Sequence, residues 1–499
     1  MENCITDSVT GNRRNSLINR KIIFRILGIL LFIEAGMFMV CMGVSLCYGE
    51  ADYIYFVYAS LINAAVGSIL CLLGRKASNV VTRRDGYCIV AFTWLLFTAF
   101  GMLPFYISGE IPSVTDAFFE TMSGFTTTGA TILDDIEALP HSMLFWRSFT
   151  QWVGGLGIVF FTIAVLPIFG VGNQVLFSAE ATGVTHDKIH PKISVMAKWL
   201  WTVYLALTLA ETVLLMCGGM NLFDAVCHSF STTATGGYST KQASISHWNS
   251  PFIEYVIAIF MILSGVNFSL YFMCLKGRYK QLVHDDEVKW FLISIISLTL
   301  LIASSLVFYN NYGYEIAFRK ALFQVATVHT SCGFATDDYN AWAPFTWMLL
   351  IYAMLAGGCT GSTSGGIKNM RLLIVMRNVK NEFSRLMHPR AVLPVKVNRQ
   401  TVSRSTISTV MVFVLFYLIC AFIGWIVLMF LGVGLTESFG TVVSSMGNVG
   451  PGLGSFGPAF SWSALPDAAK WVLSFLMLIG RLELFGILLL FSPSFWRKR

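Results

Sequence analysis

Apolar runs as long as a bilayer is thick limit this chain more than any other feature. The stretches "IIFRILGILLFIEAGMFMVCMGVSL" and "KWFLISIISLTLLIASSLVF" reach the roughly 20 residues needed to cross the hydrocarbon core. Of the 499 residues, 55% are hydrophobic and only 12% are charged, where soluble proteins carry about 25% charge. The chain therefore reads as a polytopic membrane protein. Its first run has no clear small-residue cleavage site and is too long for a signal-peptide core, so it is a retained span.

The net charge of +7 is not a nucleic-acid signal, because of where it sits. Basic residues cluster in "GNRRNSLINRK", "GRKASNVVTRR", "KGRYK", the stretch 368–404 and the terminal "RKR". Alternate connections carry acid: "YGEAD", "DDIE", Asp337 and Asp338, Glu437 and Asp467. The positive-inside rule places both termini and the basic loops in the cytoplasm. An acidic outer face would raise the local cation concentration. Eleven scattered cysteines form no disulfide framework or metal pattern and read as small apolar residues.

Four glycine-containing stretches recur: "SGFTTTGAT", "FSTTATGGYST", "HTSCGFATDD" and "SSMGNVGPGLG". Aligned on Gly129, Gly237, Gly333 and Gly450, they lie about a hundred residues apart, the signature of an internal repeat. Thirteen residues upstream stand Asp116, Asp224, Lys320 and Glu437, followed by small and then apolar residues. Lys320 breaks an otherwise acidic column. Each unit opens with a long apolar span, at 87–108, 196–218, 288–309 and 406–432. A segment of about ten residues, too short to cross, comes next, then the glycine motif and a second span.

Acid at the start of the short segment suits a helix N-terminus. The opposite end then aims partial negative charge at the membrane centre and favours a cation. Glycine after it permits positive φ, so that successive carbonyls face one way. Non-helical backbone at membrane depth is tolerated where it lines a cavity or is buried in protein. Four such segments around one axis would form a ring of carbonyl oxygens able to replace an ion's hydration shell. One such motif alone would read as an ordinary turn.

The repeated plan and the motifs "TTTGAT", "ATGGYS", "TSCGFAT" and "GNVGPG", with "GRLELFGILLLFSPSFWRK" near the end, resemble the Trk/Ktr/HKT family of potassium transporters. Two spans ahead of the first unit, at about 22–48 and 54–74, match the family's Trk branch. The resemblance implies an all-α polytopic membrane protein, with four span–pore helix–span repeats in pseudo-fourfold array plus two N-terminal spans. It implies a filter of Thr126, Thr127, Thr128 and Gly129; Ala234, Thr235, Gly236 and Gly237; Thr330, Ser331, Cys332 and Gly333; and Gly447, Asn448, Val449 and Gly450. Glycine in all four filters goes with potassium preference in that family, whereas sodium-selective plant relatives carry serine in the first. A homodimer and a separate cytoplasmic regulatory subunit with nucleotide-binding domains are also implied.

"LAGGCTGSTSGGIKN", Leu355–Asn369, follows an apolar run that begins at Trp342. Fourteen helical residues cover about 21 Å, less than the ~30 Å core, so the stretch falls inside the membrane or somewhat below its centre. It lacks both the strand and the spacing of a phosphate-binding loop. Two readings remain: a plain linker, since glycine and serine are linker residues, or a flexible intramembrane loop at 356–368 closing a pore. In the second the gate comprises Gly357, Gly358, Thr360, Gly361, Ser362, Thr363, Ser364, Gly365 and Gly366. The family's third unit carries such a loop, treated as its gate. Arg481 lies in an apolar run, where a basic residue costs about 2.5–3.5 kcal/mol, and would pair with Glu483 or donate to loop carbonyls. Glu34 and Glu211 read as structural partners within spans, and His186 and His190 as a solvated segment.

The chain divides into a cytoplasmic N-terminus at 1–21, two extra spans at 22–75, and repeats at 87–169, 196–276, 288–375 and 406–492. A basic cytoplasmic loop at 376–404 is long enough to dock a regulator, or simply to meet anionic lipid. The expected function is potassium uptake through a central pore in a prokaryotic plasma or inner membrane. Potassium is the only metal expected and is the transported ion; no cofactor, catalytic residue or nucleic-acid partner is expected. The rival is a secondary transporter coupling potassium entry to protons or sodium. Such proteins typically show two inverted repeats, where this chain has four in one orientation.

Overall fold

The computed structural model describes residues 18–77, 81–157 and 193–497. Residues 1–17, the stretch 158–169 of the first repeat's second span, and His186 and His190 lie outside the described residues. A pair of packed helices, Arg20–Tyr48 and Tyr53–Leu73, comes first. Glu34 accepts a hydrogen bond from Asn63 Nδ2 at 3.0 Å, which fastens the pair from inside, as its reading as a structural partner expects.

Four units follow. Their first spans are Arg83–Gly101 continued by Leu103–Ser108, Ile193–Cys217, Asp286–Asn310 and Arg404–Phe430. The short helices are Val114–Phe125, Leu222–Thr233, Tyr314–His329 and Leu435–Gly447. At 12, 12, 16 and 13 residues none can cross a bilayer. Their starts are set chemically: Ser113 Oγ accepts from the Asp116 amide at 3.3 Å and Asn221 Oδ1 from the Asp224 amide at 2.7 Å. The third begins at Tyr314 with Glu315 in its first turn. That explains Lys320: this helix starts more than a turn early, and Glu315 supplies the acid at its N-terminus.

Each short helix packs on its own unit's first span and on the second helix of the preceding unit, with the first packing on the fourth unit's Asp467–Arg481. The four units therefore close in a ring. Tyr53–Leu73 and Arg404–Phe430 bury only 22% of their most apolar stretch, the outward-facing surface of a multi-pass membrane protein. Among the described residues the only β-structure is a two-stranded hairpin that pairs Lys396 with Thr401 and Val397 with Gln400.

The second spans are broken in the second and fourth units, where the sequence predicts continuous spans, as well as in the third, where it predicts the interrupting loop at 356–368. His141–Gly155, Pro251–Ser264, Pro344–Ala356 and Asp467–Arg481 each stop after 13 to 15 residues. Pro251–Ser264 continues into Phe268–Leu275 with a bend of 92°, and Asp467–Arg481 into Phe485–Phe491 with one of 119°. The third resumes only at Asn369, and its second half stays helical to Met387, so the stretch 376–404 begins inside a helix. Six single helices among the described residues are long and apolar enough to cross a membrane, or eight counting the two bent pairs.

Candidate functional site

The chain leaving each short helix takes the same path. Thr127, Thr235, Ser331 and Asn448 have φ of 53°, 55°, 55° and 52°, and two residues later Gly129, Gly237, Gly333 and Gly450 have φ of 83°, 77°, 97° and 100°. Left-handed backbone is uncommon outside glycine, so four in-register pairs describe one repeated conformation.

Contacts between neighbours show how the segments are arranged. A Cβ built on Gly129 would lie 2.1 Å from the Gly236 carbonyl oxygen, and one on Gly237 2.2 Å from that of Cys332. Gly333 would meet the Val449 oxygen at 2.1 Å and Gly450 the Thr128 oxygen at 2.6 Å. Each glycine thus abuts the carbonyl just before the next unit's glycine, and the fourth returns to the first. Carbonyl oxygen is a donor suited to a hard monovalent cation, and the C-terminal ends of four short helices adjoin it. The three residues ahead of each glycine are buried. All four glycines line a mouth open to solvent, with Tyr238, Pro451 and Trp462 around it.

Side chains that sequence reasoning missed hold these segments in place. Gln151 Nε2 donates to the Gly236 carbonyl at 2.7 Å, and its Oε1 accepts from the Tyr238 amide at 3.0 Å. Arg147 pairs with Glu120 at 2.9 Å, the two side chains being 1% and 0% exposed. Arg147 also donates to the Ser239 carbonyl at 3.2 Å and lies 4.1 Å over the Tyr238 ring, while Glu120 accepts from the Ile132 amide at 3.0 Å. This one ion pair braces the chain after the first and second glycines. Asn448 Nδ2 donates to Thr128 Oγ1 at 3.1 Å and joins the fourth segment to the first. The signal was available: Glu120, Arg147 and Gln151 are polar residues inside apolar helices. At the mouth, the hydrogen bond from Lys241 to Glu137, 3.1 Å long, holds that carboxyl below its usual range.

The stretch 357–368 sits against the other end of the third and fourth segments. The Gly365 amide donates to Ser331 Oγ at 2.6 Å, and a Cβ on Gly365 would lie 2.2 Å from the Gly447 carbonyl oxygen. Gly357, Gly358, Thr360 and Thr363 to Gly366 are buried, Ser362 is half-buried and Gly361 is exposed. The segment is less loose than its composition suggests. Arg481 donates to the Thr363 carbonyl at 2.6 Å and to that of Gly155 at 2.7 Å. Lys368 reaches the Ser364 carbonyl, and Thr363 Oγ1 donates to the Thr233 carbonyl at 3.1 Å. Glu483 pairs with Arg371, whose guanidinium lies 4.1 Å over the Phe413 ring. Glu211 lies against Thr232 and Thr233 at the end of the second short helix.

Residues 54–498 match the family described as TrkH, cation transport protein. The chain is 38% identical over 481 residues to the Trk system potassium uptake protein TrkH of Escherichia coli K12, covering 95% of this chain and 99% of that protein. It is 37% identical over 483 residues to TrkH of Halomonas elongata, covering 96% and 99%. The crystal structure of the potassium transporter TrkH from Vibrio parahaemolyticus superposes with a TM-score of 0.86 at 36% identity, over 96% of this chain and 99% of that one.

Proposed function

This chain belongs to the TrkH family of cation transport proteins, a family of transporters rather than enzymes, and from that premise we propose that it admits potassium through a pore on the axis of its four glycine segments. The observation that carries this reading is the closed order of contacts, in which each glycine abuts the carbonyl before the next unit's glycine. The sets 126–129, 234–237, 330–333 and 447–450 form the selectivity filter and offer carbonyl oxygens to the dehydrated ion. The loop 357–366 is the gate beneath it, and Arg481 and Lys368 hold its carbonyls across the conduction path. The mouth faces outward in a prokaryotic plasma or inner membrane, with both termini and the basic connections in the cytoplasm, following the positive-inside rule.

The relatives are named as parts of a Trk system, which supports association with other Trk components. From the family resemblance we propose that the partner is a cytoplasmic nucleotide-binding regulatory subunit and that two pore chains pair. Rubidium uptake into proteoliposomes, with and without an imposed proton or sodium gradient, tests the mechanism. Uptake that follows the rubidium gradient alone is expected. Uptake that requires the proton or sodium gradient would replace the pore with a coupled transporter.

A further inference from the structure

Glu287, in the first turn of Asp286–Asn310, belongs to neither the filter nor the loop, yet it is 3% exposed. Its Oε1 accepts from the Thr360 amide at 2.6 Å and from the Met370 amide at 2.9 Å. One carboxylate oxygen thus grips the loop near both of its ends. Hydrogen bonds to a carboxylate are roughly twice as strong as neutral ones, and neither amide belongs to a helical ladder that would satisfy it otherwise.

The two residues before Glu287 face a different structure. Asp286 accepts from Arg377 Nη1 at 2.8 Å and from the Asn398 amide at 3.0 Å, and Asp285 accepts from Asn398 Nδ2 at 2.8 Å. The Asp286 amide returns a bond to Asn398 Oδ1 at 2.8 Å. Asn398 and Arg399, with φ of 49° and 63°, make the exposed turn of the hairpin 396–401. Asp285 Oδ1 also accepts from the Glu287 and Val288 amides at 2.9 and 3.0 Å, which locks the three acids into one rigid helix start.

We infer that Glu287 is a positioning residue for the loop, and that the run Asp285–Asp286–Glu287 links the hairpin 396–401 to it. Moving the hairpin turns the helix start and with it the oxygen on which both loop flanks hang. This inference rests on the loop being the gate and names an input to it. The proposed topology puts the hairpin in the cytoplasm, where a regulator has access.

The test is rubidium uptake into proteoliposomes holding the full chain, normalised to reconstituted protein, with the rubidium-to-sodium ratio measured alongside. The proteins are wild type, a form lacking residues 361–363, Glu287→Ala, Glu287→Gln, Asn398→Ala and the double Glu287→Ala/Asn398→Ala. Glu287→Ala is expected to raise uptake by about five- to tenfold, as for loss of charge-assisted hydrogen bonds, with the ion ratio unchanged. Glu287→Gln, which keeps an acceptor oxygen, raises it less. Asn398→Ala moves uptake the same way, and the double variant exceeds Glu287→Ala by little. A merely structural role lowers uptake instead of raising it. If the shortened form conducts more but neither Glu287 variant does, the inference fails and the gate stands. If the shortened form conducts as wild type, the gate reading fails and the inference falls with it. Uptake in the double equal to the product of the single effects would remove the hairpin link. Should Glu287→Ala not accumulate, Glu287→Gln carries the test with the same signs.

Discussion

At Gly129, Gly237, Gly333 and Gly450 two constraints coincide: left-handed φ and a neighbouring carbonyl within 2.6 Å of where a Cβ would stand. Glycine is the residue that satisfies both. Gly129→Ser adds a Cβ and a hydroxyl, so either the Gly236 carbonyl moves or strain of about 1–3 kcal/mol stays in the segment. The expected result is a smaller rubidium-to-sodium uptake ratio or lost flux; an unchanged ratio at normal flux would make Gly129 only a turn residue. Spacing alone exposed this column in the sequence. The left-handed residues two places earlier were not legible, because Thr127, Thr235 and Ser331 are of types that rarely adopt that conformation and only Asn448 is of one that commonly does. The Arg147–Glu120 pair is also a single-residue matter. Arg147→Met leaves Glu120 buried without its charge partner, and such breakage costs about 3–5 kcal/mol. Thermal unfolding in detergent should show a markedly lower midpoint, together with a reduced ion ratio. A stable protein of normal selectivity would mean the pair braces nothing.

Among the elements, the second helices hold most of what the sequence concealed. The interruption after Ala356 was readable, because fourteen apolar residues are too few to cross and glycine and serine follow. The bends after Ser264 and Arg481 were not, since Gly265 and Asn267 at the first and Arg481 and Glu483 at the second are isolated interruptions in runs that stay apolar on both sides. Length and an acidic start made the short helices legible, but a fixed column misplaced the start of the third at Lys320. The loop 357–366 was readable as an interruption, with Arg481 offered as a donor to its carbonyls, while the hold of Glu287 was not legible, because that residue lies far from the loop in the chain. Shortening the loop and replacing Arg481 with Ala should each raise uptake several-fold. In combination they should do little more than the stronger change alone, since both remove one barrier. Fully additive effects on the logarithm of flux, measured per unit of membrane protein, would show that Arg481 and the loop act separately.

Across the whole molecule, the units are tied where they meet. Lys470 of the fourth unit bonds to Asp116 of the first at 2.6 Å, and Arg319 of the third to Glu254 of the second at 2.9 Å. Lys470→Met is expected to lower the unfolding midpoint and, unlike a loss of ordinary surface charge, to reduce ion preference by loosening the joint between units one and four. An unchanged ion ratio in that variant would confine Lys470 to a stabilising role. The central claim is that four segments from four units make one conducting ring. The measurement that tests it most directly is rubidium and sodium uptake by four proteins carrying Gly129→Ala, Gly237→Ala, Gly333→Ala or Gly450→Ala singly, each normalised to protein in the membrane. The ring predicts that every one of the four loses rubidium flux or rubidium preference, because each added Cβ strikes the next unit's carbonyl. Wild-type flux and preference in any one of them, at normal abundance, would take that segment out of the ring and contradict the account.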